Sequence, residues 1–378
     1  MSLPKNIDYT SDRIRAVDAK FEAQRIAFSP LTFQAIYSLR ELGALQYVSD
    51  AGDDGVTLDE IAQKCGISLY GAGVLAEMAL GMRVFRIAHN ATESGNAPEK
   101  FVLGKVGWFL LEDELTRVNF NFTNDVCYKG AFDLLQSIRD GKPCGLSVFD
   151  VPNRKKWTTV YEALSTLPEH IKTSWFDFDH FYSDVAFPEA LPIVFAEKPM
   201  HLIDIGGNTA KWAIACCRYN PSVQVTIVDL PGQTAVAEHN AKEAGFSQRI
   251  TTAASNVLDS TTALNTSGGK PDAVWMSQFL DCFSLSQITL ILEKVYAAAS
   301  AETDVWVLEP LWDMQKYEAA SYALQATSLY FTCIANGNSK MYRFDELKDA
   351  IEKAGFELRT AHHSLGSNCY SLLRFRKV

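Results

Sequence analysis

From His201 to the C-terminus the sequence repeats one unit: a short apolar run, a loop of small residues, then an amphipathic helix. Alternation of this kind dictates a parallel sheet with helices on both faces. His201-Leu202-Ile203-Asp204-Ile205 reads as the first strand, followed by Gly206-Gly207-Asn208 and a helix over 210–219. A second strand over 223–228 ends in Asp229-Leu230-Pro231, and its helix stops at Gly245. Further strands are expected over 249–256, 272–279 and 304–308, with helices over 286–299 and 344–354. The last two strands, 357–364 and 368–376, are separated only by Leu365-Gly366-Ser367. A parallel pair needs a long crossover, so this pair must be an antiparallel hairpin.

The first half lacks this alternation. Ile14, Val17, Phe21, Ile26 and Phe28 form an imperfect apolar stripe at helical spacing, and a second helix is expected over 31–47. Thr57 with Glu60 is a capping box and Gly66 a helix stop. A helix over 69–82 follows, then two strands over 84–87 and 100–103 around a polar tip at 91–99, the pattern of a winged helix. That second helix carries no Arg or Lys before Arg83, so the electrostatics of DNA binding are missing. With 378 residues and 47% hydrophobic content the chain supports two packed domains, read as a helical dimerisation domain over 1–192 and an α/β domain over 193–378.

Composition narrows the function further. A net charge of −10 argues against nucleic acid as a partner. No apolar run is long enough to span a bilayer, and no signal peptide is recognisable, so a cytoplasmic protein is expected. The eight cysteines are scattered, with no metal-ligand spacing, and read as reduced thiols; no metal site is expected.

Ligands of such sheets sit outside the carboxyl ends of the central strands. Three features fall there. Asp204-Ile205-Gly206-Gly207-Asn208 is a turn that lets backbone approach a ligand. Asp229 can accept two ribose hydroxyls, and Asn256 can pair with an adenine edge. A dinucleotide would need glycines at positions 208 and 211, where Asn208 and Lys211 stand. The alternative for Asp229 is an ordinary acid at a helix N-terminus.

On these motifs the chain resembles the two-domain small-molecule O-methyltransferases, the group of the caffeate, acetylserotonin and anthracycline enzymes. Asp204–Ala210 stands where that family has D-x-G-G-G-x-G, Asp229-Leu230-Pro231 where it has D-L-P, and Asn256 where it has the Asp of a G-D segment. Val307-Leu308-Glu309 matches a V-x-E strand end, Asn336-Gly337 an N-G-G loop, and Ala354-Gly355-Phe356 an A-G-F helix end. The resemblance implies a Rossmann-like methyltransferase sheet, S-adenosylmethionine as cofactor, a homodimer, and a small aromatic acceptor, free or carried on a protein. It implies cofactor contacts from Asp204, Gly206, Gly207, Asp229, Leu230, Asn256, Val257 and Ser277. It implies an acceptor pocket from Phe279, Trp312, Tyr330 and Asn336.

The departures concern catalysis. Where the family has a catalytic His, Phe279-Leu280-Asp281-Cys282-Phe283 places Asp281. Glu309 keeps the first of two glutamates that hold that His, and Met341 replaces the second. Asn208 and Ala210 replace two loop glycines. Asp281 and Glu309 are therefore the candidate catalytic pair. An Asp near its ordinary pKa is a poor base at neutral pH unless burial and a neighbouring carboxylate raise it. Other readings are His180, His362 or His363 as base, an aromatic carbon as acceptor, a turn-capping role for Asp281, or a cofactor-binding scaffold without turnover.

Overall fold

The computed structural model describes residues 9–88, 98–150, 156–266 and 269–378, without the side chains of residues 165, 180, 182 and 183. By internal packing the chain divides into Thr10–Phe120 and a second unit comprising Asn121–Val378 with Tyr9.

Within the first unit the helices Ala16–Ala27, Ser29–Glu41, Ala44–Asp50, Leu58–Cys65 and Leu69–Gly81 enclose a core that includes Ile36, Leu39, Leu45, Val48, Ile61 and Ala76. The single helix expected over 31–47 is in fact two. Gly43 adopts φ +74°, which a right-handed helix cannot contain, and the chain restarts at Ala44. The capping box forms as read: Glu60 N–H donates to Thr57 Oγ1 at 3.3 Å, and Thr57 N–H to Glu60 Oε2 at 2.7 Å. Strands β1 (Val56–Thr57), β2 (Phe85–Ile87) and β3 (Lys100–Leu103) form an antiparallel sheet in the order β1-β3-β2. β1 is too short to leave a periodic signal. Most of the hairpin tip, residues 91–97, lies outside the described residues. The helix Ala16–Ala27 buries none of its residues, and Val17, Phe21 and Ile26 remain exposed.

The second unit is built on a seven-stranded sheet. Its strands are β4 (His201–Ile205), β5 (Gln224–Asp229), β6 (Ile250–Ala254), β7 (Ala273–Ser277), β8 (Asp304–Glu309), β9 (Phe356–Leu365) and β10 (Tyr370–Lys377). The order is β6-β5-β4-β7-β8-β10-β9, parallel except for β10, which runs antiparallel to both β8 and β9. The mixed sheet with its antiparallel closing hairpin is the fold class that the sequence implied. All six residues of β8 are buried, as a strand covered on both faces requires. Asp304 fixes the register of β10, accepting from Arg374 Nε and Arg376 Nε at 2.7 Å each.

The chain leaves β4 toward β5 and β6, then returns to β7 on the other side of β4. That reversal opens a crevice at the carboxyl ends of β4 and β7. The helices Glu169–Ser183 and Phe187–Phe195 pack within this same unit, through a Phe122–Phe178 stack at 3.9 Å and Phe187 against Trp212 at 5.1 Å. The packing units divide at Phe120, whereas the sequence places the domain boundary at 192.

Candidate active site

The crevice is shaped by the turn after β4. Gly206 has φ +76°, and a Cβ there would stand 2.3 Å from the Phe279 ring; a Cβ on Gly207 would stand 2.8 Å from Asp204 Oδ2. Both glycines are therefore required by contact. Asn208 (φ +47°) and Ala210 (φ +66°), at two family glycine positions, keep the left-handed backbone. Asn tolerates this conformation; for Ala it costs about 1 kcal/mol. Asp229, at the end of β5, clamps the turn: its Oδ2 accepts from Asn208 N–H at 2.9 Å and its Oδ1 from Leu230 N–H at 2.7 Å. Burial pushes the Asp229 pKa upward, against those two bonds.

A cavity of about 70 Å³ lies at this point, lined by Asp179, Asp184, Asp204, Gly206, Gly207, Asn208, Lys211, Trp275, Ser277 and Gln278 among others. Asp204 Oδ2, Ser277 Oγ and Gln278 Oε1 are buried without hydrogen-bond partners. Burial, with Asp229 nearby, pushes Asp204 up to about 8. Such an acceptor-rich cradle fits the ammonium and positive sulfonium of S-adenosylmethionine. Asn256 is exposed, and its Oδ1 accepts from Leu258 N–H at 3.0 Å; Val257 packs in the apolar core.

Some residues further along, β7 leads into the short helical turn Leu280–Cys282. Asp281 and Glu309 are 4% and 2% exposed, so water contributes almost nothing to their ionisation. Glu309 Oε1 accepts from Phe279 N–H at 3.1 Å and Leu280 N–H at 2.8 Å, which anchors the turn to the end of β8. Glu309 Oε2 and Asp281 Oδ1 have no partner. With Pro310, Leu311, Met341, Tyr342 and Leu347 the two acids line a void too small for water. Desolvation raises both pKa values. Asp281 reaches about 7, with Asp179 adding to the rise, and Glu309 goes well above its ordinary range through burial and the Asp281 charge. Negative charge on Asp281 disfavours ionisation of Glu309, so the two carboxyls do not titrate independently.

Comparison with known proteins bears on both ends of the crevice. Residues 20–91 match the Dimerisation2-like domain, and residues 183–357 match the O-methyltransferase domain. The chain belongs to the two-domain O-methyltransferase family. The L-tyrosine C(3)-methyltransferase of Streptomyces lavendulae is 23% identical to this methyltransferase over 337 residues, 89% of this chain and 86% of the relative. The 3-hydroxy-5-methyl-1-naphthoate 3-O-methyltransferase of Streptomyces sahachiroi is 30% identical over 169 residues, 44% of this chain and 46% of the relative. The apo crystal structure of the S-adenosylmethionine-dependent methyltransferase SibL superposes with a TM-score of 0.68 at 20% identity, covering 93% of this chain and 98% of that one.

In this methyltransferase the four residues expected to line the acceptor pocket have other visible engagements. Phe279 packs edge-on against Phe283 at 4.9 Å and closes over Gly206. Tyr330 accepts a buried hydrogen bond from Trp175 Nε1 at 2.8 Å. Asn336 Nδ2 donates to Cys282 O and Ser339 Oγ at 2.8 Å each, while its Oδ1 accepts from Asn338 and Ser339 N–H, so it steadies the Asp281 turn from behind. Trp312 stands beside Tyr9 and under the Arg343 guanidinium. None of the four lines either cavity described above. His363 Nδ1 bonds Ser371 Oγ at 2.8 Å on the closing hairpin, His362 lies on the same strand β9, and the side chain of His180 is outside the described residues.

Sequence reasoning missed Asp179. Its carboxylate accepts from Asn208 Nδ2 at 3.3 Å, and burial with Asp184 nearby pushes it up to about 7. The signal was available. Asp179 lies one helical turn from Trp175, on the aromatic face of Glu169–Ser183, where an acid has no packing reason to be.

Among the described residues no cluster of three His, Cys, Asp or Glu is placed to hold a metal ion, and no helix is long and apolar enough to cross a membrane.

Proposed function

We propose that this protein transfers a methyl group from S-adenosylmethionine to a small phenolic acceptor, with Asp281 as the base that takes the hydroxyl proton. The observation that carries this reading is the buried Asp281–Glu309 pair beyond the ends of β7 and β8, each with one unpartnered oxygen, where desolvation pushes Asp281 up to about 7. When bound, S-adenosylmethionine supplies an electrophilic methyl on its sulfonium. Asp204 and Ser277 hold its amino-acid end, Asp229 its ribose, and Asn256 with Val257 the adenine side. Glu309 orients the Asp281 turn through the bonds it accepts from Phe279 and Leu280 N–H. The dry void behind the pair keeps competing water from the carboxylates.

A second reading, methylation of an aromatic carbon, is favoured by the alignment of nearly the whole chain with the tyrosine C(3)-methyltransferase. Asp281 has the same task there, because an ionised phenol activates its ortho carbon. Turnover of a phenol panel, with mass spectrometry locating the new methyl, decides between oxygen and carbon. No turnover on any phenol would refute the enzymatic reading.

The functional unit in this reading is a homodimer. The Dimerisation2-like domain and the exposed apolar residues Ile14, Val17, Phe21, Ile26 and Phe28 support it. Sedimentation at micromolar concentration should give twice the chain mass. All eight cysteines are free thiols, which supports a reducing, cytoplasmic setting.

A further inference from the structure

Position 208 of the cofactor turn holds Asn where the family loop has Gly, and its backbone has φ +47°. Glycine adopts that conformation freely and Asn tolerates it, so the turn itself gives no reason for a side chain here. The Asn208 N–H donates to Asp229 Oδ2 at 2.9 Å. Its Nδ2 donates to Asp179 Oδ2 at 3.3 Å, on the helix Glu169–Ser183. Because the carboxylate accepts, that bond sets the amide one way round and leaves Oδ1 as the spare atom. Asn208 Oδ1 is buried and receives no donor.

A buried acceptor without a donor is destabilising unless a ligand supplies the missing N–H. Asn208 lines the same cavity as Asp204 and Ser277, whose Oδ2 and Oγ are also without partners. In the reading above those two residues hold the amino-acid end of the cofactor. That end carries an ammonium, with three N–H donors on one atom, and acceptors from separate segments of chain match it. The ribose and the adenine are assigned to Asp229 and Asn256, neither of which lines this cavity. The donor that remains for Asn208 Oδ1 is the ammonium.

We propose that Asn208 is a further cofactor-binding residue, its side-chain oxygen accepting from the ammonium of S-adenosylmethionine, a contact for which the family glycine has no atom. This rests on the assignment of the cavity to the amino-acid end. A hydrogen bond to a charged group in a buried setting corresponds to roughly ten- to hundredfold in affinity.

The test compares S-adenosylhomocysteine with 5′-methylthioadenosine, which shares the adenosyl thioether and lacks the amino-acid end. Calorimetry on the full-length protein, by displacement where binding is weak, should find Asn208→Gly at least roughly tenfold weaker for S-adenosylhomocysteine. Affinity for methylthioadenosine should stay within about threefold, which also shows that the turn keeps its shape. Asp204→Asn should likewise weaken S-adenosylhomocysteine alone, an independent check on what the cavity holds. Unchanged S-adenosylhomocysteine affinity in Asn208→Gly, beside its loss in Asp204→Asn, would overturn this inference and leave the cavity assignment standing. Equal weakening of both ligands by Asn208→Gly would also overturn it, because the side chain would then serve the turn and not the ammonium. Equal weakening of both ligands by Asp204→Asn would overturn the cavity assignment and the inference with it.

Discussion

The two ends of the crevice solve the placement of charge in different ways. At the cofactor end Asp229 spends both oxygens on backbone N–H groups, and the turn it clamps is fixed by contact at Gly206 and Gly207. At the reacting end Asp281 and Glu309 sit in a dry space, where one oxygen of each has no partner and both pKa values rise. The first end is held by geometry. The second is held by an unfavourable environment that pushes both carboxylates upward, which the proposed function uses to make Asp281 a base. A family site can thus lose its histidine at one end while its binding turn keeps its shape at the other.

If the two ends are as separate as this contrast implies, substitutions should split cleanly between turnover and cofactor affinity. The largest effect should come from Asp281→Asn, which keeps the shape and removes the base. Steady-state kinetics should show kcat reduced by roughly a hundred- to ten-thousandfold, the range for loss of a general base, with S-adenosylmethionine affinity nearly unchanged. Asp229→Ala should do the opposite. Calorimetry should find cofactor affinity roughly a hundredfold weaker, as expected for loss of two hydrogen bonds to a charged group. Unchanged affinity would move the ribose away from β5. The smallest effect should be Ala210→Gly, which relieves a left-handed Ala. Thermal unfolding should show a gain of up to about 1 kcal/mol, with kcat unaffected; a loss of stability would mean that the turn is not strained.

The same contrast explains what could be read from the sequence. The strand–helix alternation, the antiparallel closing hairpin and the placing of Asp204 and Asp229 at strand ends follow from local spacing and are legible in the sequence. The break at Gly43 was not: the apolar periodicity of 31–47 runs through it, and only the positive φ of Gly43 ends the first helix. At the reacting end the identity of Asp281 was legible but its chemistry was not. Its pKa is raised by burial, with Asp179 adding to the rise, and both depend on residues far apart in sequence that the fold brings together. Asp179 escaped notice because helical spacing shows which face is buried, not which cavity that face meets.

In the proposed function Asp281, pushed up to about 7 by burial, must be ionised to act. For a carboxylate raised to about 7, the basic form is lost as pH falls, so kcat/KM should drop tenfold per unit below that value and level off above it. The decisive measurement is the pH profile of kcat/KM, with matched substrate, for the unmodified enzyme and Asp281→Asn. The account predicts an acid limb centred near 7 in the former and its absence from the residual rate of the latter. The same limb at near-normal rates in Asp281→Asn would contradict it, and would assign the proton to another group.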